Sequence, residues 1–321
     1  KVQLFLHMSK KNSTFARLMK KNVYFYRIYS WFKHYLTAWN TGGEGVHSPY
    51  LFEWVRMVMA DKHAYYVWKD IEAIREKMLH DTRQVDFVDY GSGKMFLGNT
   101  AKAEKQVMDI AKKSLSRKKY AQMLYRLINW LGISHGLEDG NKDTYSLSAH
   151  YNTMNMIGDS AKLGGLNIVE LGTSLGITTA YLAAVDSRNR VVTCEGCPAV
   201  AEVAQKNWSE LGLKNVECYV GELTSDSLQS IVDRLQGKID VAFIDANHTY
   251  AGTREYFNVL ADNVHDKSVI VVDDIHYNAE MEQAWQDICE DERVTSTIDL
   301  YQMGMVFFDR HYWRRNYTIR L

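Results

Sequence analysis

The sequence predicts an α/β fold: a doubly wound, mostly parallel, seven-stranded sheet with an antiparallel C-terminal strand, preceded by a helical N-terminal region. Three observations carry this. From residue 165 onward, short apolar runs alternate with amphipathic stretches, the pattern of strands alternating with helices. Before that point the periodicity is helical. The last two runs are joined by too few residues for a crossover helix, so they pair antiparallel.

The runs are LNIVEL, VVTCE, VECYV, IDVAFID, SVIVVDD, TSTIDL and MGMVFFD. The expected division is residues 1–160 for the helical region, serving as substrate lid, packing or dimerisation element, and 161–321 for the sheet domain. In the helical region, Ser48 is an expected N-cap with Pro49 at the first helical position. Residues 134–147 read as an exposed connection.

Composition bounds the function. The chain has 321 residues, 46% hydrophobic and 24% charged, with a formal net charge of −1. That balance argues against nucleic acid as a partner, which normally calls for a basic surplus. Four cysteines are too few for a disulfide scaffold, so a cytoplasmic setting is expected. No apolar run approaches the length of a membrane span. Cys194 and Cys197 have no second pair to complete the ligands of a zinc ion. The first methionine is Met8, so either the native start lies near it or the chain is a piece of a longer one.

Charge is nevertheless uneven. Residues 1–40 carry eight Lys and Arg and no acid. Within them Phe25, Ile28, Phe32, Tyr35 and Trp39 recur at helical spacing. Such a stripe is expected to pack on the main domain or in a homodimer. The alternative is peripheral contact of residues 22–39 with an anionic membrane.

Two stretches resemble glycine loops of a nucleotide-type site: FVDYGSGK, residues 87–94, and IVELGTSLG, residues 168–176. Such a loop joins the first strand to its helix, and the second strand ends in an acid that takes ribose hydroxyls. Only IVELGTSLG is followed by helix and then by a strand ending in Glu195, 23 residues beyond Gly172. FVDYGSGK has no such strand after it, and Met95 stands where a P-loop needs Ser or Thr. Its alternatives are a tight turn joining two helices or a flap over the substrate pocket.

A dinucleotide loop is excluded, because Ser174 and Ile177 occupy two of its glycine positions. The spacing present is Glu170-x-Gly172-x-x-x-Gly176. It resembles motif I of the class I S-adenosylmethionine-dependent methyltransferases, of Rossmann-like fold, and in particular the catechol and caffeoyl-CoA O-methyltransferases. Asp245 ends the fourth strand, and Asp273 and Asp274 end the fifth. Three carboxylates at that crevice call for a positive partner, such as Mg²⁺ or another divalent cation, or else serve as caps and sheet-end acceptors. The metal-dependent members carry an aspartate and an Asp-Asn pair at these places, and Asp274 replaces the asparagine.

The resemblance implies S-adenosylmethionine as cofactor and methylation of oxygen on a small-molecule substrate. It places Glu170, Gly172, Thr173, Ser174, Gly176, Thr178, Glu195, Gly221, Glu222 and Asp245 around the cofactor, and Asp245, Asp273 and Asp274 around the metal. The family's catalytic lysine position holds His248. His248 and His276 are the candidate general bases, since a neutral imidazole accepts a proton near pH 7. The remaining alternatives are a metal-independent N- or O-methyltransferase and a non-catalytic cofactor-binding or membrane-surface scaffold.

Overall fold

A computed structural model describes residues 23–38, 45–88, 102–138, 165–235, 237–311 and 313–321. The N-terminal region contains α1 (Val23–Thr37), α2 (Pro49–Trp54), α3 (Val67–Leu79), α4 (Val107–Ser114) and α5 (Lys118–Glu138). A π-helical turn over Val55–Met59 extends α2. The expected cap is present: the Ser48 side chain accepts from the Leu51 N–H at 3.4 Å, with Pro49 opening the helix.

The region is not wholly helical. Strands β1 (Gln84–Val88) and β2 (Lys102–Gln106) form an antiparallel ribbon, with Gln84 opposite Gln106 and Val88 opposite Lys102. FVDYGSGK therefore begins in a strand, and the expected helix–turn–helix is replaced on its N-terminal side. Asp89–Lys94 lie outside the described residues. The ribbon holds because Phe87 is covered by Lys105 (Nζ 3.5 Å from the ring centroid) and the Val88 N–H reaches Cys197 Sγ at 3.4 Å.

The sheet domain alternates as expected. Strand β3 (Asn167–Leu171) leads to α6 (Ile177–Ala183), β4 (Arg190–Glu195) to α7 (Pro198–Glu210), and β5 (Val216–Val220) to α8 (Ser225–Asp233). Then come β6 (Ile239–Ile244), α9 (Tyr250–Ala261), β7 (Val264–Asp273), α10 (Ala279–Glu290), β8 (Ser296–Asp299), β9 (Met303–Phe307) and β10 (Arg315–Thr318).

The spatial order is β10-β8-β9-β7-β6-β3-β4-β5. Strand β9 runs antiparallel to both β7 and β8, and the other pairings are parallel. The sheet has eight strands rather than seven, because β10 adds to the β8 edge. Its sequence, RNYT, is too polar to read as a strand; only Tyr317 of the four is buried.

Side chains alternate between the two faces with period two. Ile168, Val241, Phe243, Val269 and Val271 meet α2 and α5 on one side. Val169, Ala242, Ile244, Ile270 and Val272 meet the helices α8–α10 on the other. The N-terminal helices thus complete the first of these cores, and α3, α4 and α5 build a third with α6 and α7. The chain leaves β3 toward β4 and β5, then returns to build β6 and β7 on β3's other side. The carboxyl ends of β3 and β6 therefore form the switch point where open α/β sheets bind ligands.

Candidate active site at the carboxyl ends of the strands

The loop after β3 is shaped by close backbone approach. The Gly172 and Thr173 N–H groups both donate to Cys194 O, at 3.0 and 3.1 Å. Gly172 has φ of +100°, and a Cβ there would overlap the carbonyl oxygen of Asp245. Gly176, at φ +77°, opens α6; a Cβ there would stand 2.6 Å from Trp208 Nε1. Trp208 Nε1 in turn donates to Gly176 O at 2.8 Å. Both glycines are thus set by steric need.

Glu195 lies beneath this loop. Its Oε2 accepts from the Ser174 N–H at 2.8 Å and its Oε1 from the Cys197 N–H at 2.9 Å. Burial raises its pKa, while the N–H groups of Cys197, Ser174 and Gly196 act in the opposite direction. Each oxygen retains a further lone pair for a ribose hydroxyl. Gly221 closes this side, its N–H donating to Glu195 O at 2.9 Å, and Glu222 is exposed on the same loop.

Two expected cofactor contacts turn inward instead. Glu170 is fully enclosed, with Thr179 and Thr193 hydroxyls donating to its Oε2, the latter at 2.6 Å. Burial pushes its pKa up to about 7, against those hydrogen bonds, and its Oε1 has no partner. Thr173 also faces the sheet, Oγ1 to Oγ1 of Thr193 at 2.6 Å. These side chains tie β3, β4 and α6 together from below the loop, and Thr178 is buried at the helix start.

The aspartates converge as expected. Asp245 follows β6, its N–H donating to Leu171 O at 2.8 Å, and Asp273 ends β7. Asp245 is held well above the usual carboxylate range by burial first, then by the charges of Asp273, Asp274 and Glu170. Burial and then Asp274 push Asp273 up to about 8. Both shifts favour the protonated carboxyls, because burial and the neighbouring acids disfavour further negative charge. Asp274, at φ +53°, accepts from Gln302 Nε2.

The two histidines separate. His248 Nε2 lies 3.5 Å from Asp245 Oδ1, and burial lowers its pKa against the pull of Asp274. It is therefore neutral at pH 7 and at the crevice. His276 Nε2 donates to Asp299 Oδ2, 2.8 Å away, and the ring stacks on Tyr301 at 5.3 Å. His34 of α1 takes the other oxygen of Asp299 at 3.3 Å. Against burial, these two histidines hold Asp299 far below the usual carboxylate range. His276 is thereby committed to a structural pair.

Sequence reasoning missed Asp299, Tyr301 and Gln302. They sit in the short β8–β9 connection, where the only available signal is its tightness; Tyr301 adopts φ +73°.

A divalent cation meets a mixed fit. Three clustered carboxylates and the unpartnered, buried Asp273 Oδ1 match its charge chemistry. Yet among the described residues no three His, Cys, Asp or Glu side chains are placed to hold a metal ion. Asp274 is turned to Gln302, and the other two carboxyls are pushed toward their protonated forms. S-adenosylmethionine fits more directly, through the Glu195 carboxylate and the open turn at Gly221, where a Cβ would meet nothing nearer than 3.6 Å.

Residues 169–275 match a family described as a methyltransferase domain. This part of the chain is thus similar to methyltransferase domains. The resemblance expected from the loop and the aspartates is the one found. A catechol O-methyltransferase of Niastella koreensis is 40% identical over 83 residues, 25% of this chain and 37% of that relative's length. The matched segment thus spans little more than a third of that curated relative. Among solved structures, an O-methyltransferase from Bacillus cereus in complex with SAH has 16% identity and a TM-score of 0.47, covering 78% of this chain and 95% of that one. A methyltransferase from Geobacter sulfurreducens has 14% identity and a TM-score of 0.43, covering 62% and 84%.

Proposed function

We propose that this chain is an S-adenosylmethionine-dependent methyltransferase acting on a hydroxyl of a small molecule. The observation that carries the proposal is the meeting, at one switch point, of the Gly172 turn, the Glu195 carboxylate and the neutral His248 beside Asp245. S-adenosylmethionine, when bound, supplies a methyl group activated by its sulfonium and leaves as a neutral thioether. Glu195 would accept the ribose hydroxyls, and the loop's glycine turn would let the cofactor approach the backbone. His248 would take the proton of the substrate hydroxyl as the oxygen–carbon bond forms, and the charge of Asp274 would favour the resulting imidazolium.

A second reading is favoured by the unpartnered Asp273 Oδ1 and the crowding of acids that raises Asp245 and Asp273. A divalent cation, when bound by Asp245, Asp273 and Asp274, would orient a substrate hydroxyl and lower its pKa. Asp274 would have to leave Gln302, and Asp245 and Asp273 would have to be deprotonated. Metal affinity would therefore rise with pH through the region near 8 where Asp273 titrates.

The test is turnover of methyl-labelled cofactor with a panel of catechol-type hydroxylated aromatics, in EDTA and in magnesium, with magnesium binding measured calorimetrically at pH 6.5 and pH 9. Turnover equal in EDTA, with no magnesium binding at either pH, leaves His248 as the sole activating group. No turnover of any hydroxylated compound by protein that binds the cofactor would remove the oxygen-directed proposal.

A further inference from the structure

Helix α1 packs with the side expected to face water. Its buried residues are Tyr26, Ser30 and His34, one polar stripe at intervals of four. That stripe is fastened to the rim of the candidate site. Tyr26 and Lys33 both reach Glu282, the latter at 2.9 Å, and Ser30 Oγ lies 3.2 Å from the Tyr301 hydroxyl. Tyr301 also donates to Arg27 O at 2.7 Å. The opposite face presents Phe25, Ile28, Trp31, Tyr35 and Leu36, with exposures from 42% to 57%. Trp31 and Tyr35 stack on each other at 5.4 Å within the helix itself. Of the stripe expected to pack, Phe25, Ile28, Phe32 and Tyr35 are turned outward while Trp39 lies outside the described residues, and the exposed apolar patch calls for an occupant.

Charge decides which occupant. Residues 1–40 hold eight Lys and Arg and no acid, while the whole chain carries −1, so the remaining residues carry −9. Six of these cations precede α1 in the sequence and lie outside the described residues, so a second copy would meet a chain of like charge next to this face. An anionic bilayer would attract this segment, repel the rest, and so orient the molecule with α1 down. Tyr and Trp on the exposed face suit the headgroup boundary. The helix has 15 residues, and no helix among the described residues is long and apolar enough to cross a membrane. It would lie in the plane of the surface.

We propose that the outward face of α1 docks on an anionic lipid bilayer, its polar stripe holding the candidate site against that surface. The proposal does not depend on the methyltransferase reading.

The experiment is co-sedimentation of the full chain with phosphatidylcholine vesicles, with and without phosphatidylglycerol, alongside a Phe25→Glu/Ile28→Glu variant. Both residues are exposed, so the variant should keep the wild-type circular dichroism spectrum. Each basic residue near the surface adds roughly fivefold in partitioning, so anionic vesicles should bind at least about tenfold more tightly than neutral ones. The variant should lose about tenfold or more, and raised salt should weaken binding by the wild type. Absence of binding to anionic vesicles by folded protein would overturn the proposal, as would undiminished binding by the variant. A wild-type dimer in sedimentation equilibrium that the variant dissociates, without vesicle binding, would assign the face to a second copy instead.

Discussion

The carbonyl oxygen of Asp245 occupies the space that a side chain at Gly172 would need. The turn after β3 and the end of β6 are therefore fixed by one contact, on which the crevice depends. Gly172→Ala would add a steric overlap with backbone to a residue at φ +100°. We expect a destabilisation of roughly 2–4 kcal/mol and weakened cofactor binding, measured by denaturant unfolding and calorimetry. A variant of wild-type stability would show that the turn relaxes freely.

His248 and His276 should respond differently to replacement. His248→Ala would remove the neutral imidazole at the crevice and lower kcat by about 10²–10⁴-fold, with little effect on unfolding. His276→Ala would leave Asp299 with His34 and the Tyr301 N–H and should cost on the order of 1–3 kcal/mol in stability. Kinetics in which only His276→Ala loses turnover, at unchanged stability, would reverse the assignment of the base.

Glu170 makes stability depend on pH in a defined direction. Its pKa is raised from the ordinary carboxylate value to about 7 in the folded chain. The folded state therefore holds a proton that the unfolded state has already released. The resulting contribution is full below the unfolded pKa and is lost as pH rises toward 7. Glu170→Gln should shrink the stability difference between pH 5 and pH 8 by on the order of 2 kcal/mol. An unchanged difference by denaturant titration would place the titrating group elsewhere, Asp273 being next in line.

The sheet domain was largely legible because its signals are local. Apolar runs of strand length, a Gly turn before a helix, and acids at strand ends all reflect constraints within a few residues. So the Gly172 loop, Glu195 and the three aspartates are found together where expected. The β1–β2 ribbon escaped notice because QVDFV and KAEKQ are short and half polar. Strand β10 escaped for the same reason. Asp299, Tyr301 and Gln302 act only through contacts far away in sequence, which no local pattern encodes. The Phe25–Tyr35 stripe was recognised, but periodicity states which face avoids water and says nothing of what covers it. Glu170 and Thr173 follow the motif in sequence yet face inward, since a spacing rule does not resolve which side of a loop a side chain takes.

The most direct test of the account is calorimetric titration of S-adenosylmethionine and S-adenosylhomocysteine into wild type and Glu195→Ala. The account predicts binding by the wild type and a loss of at least about tenfold in the variant, because the carboxylate would hold the ribose and brace Ser174 and Cys197. Failure of folded wild-type protein to bind either compound, or equal affinity in the variant, would contradict it.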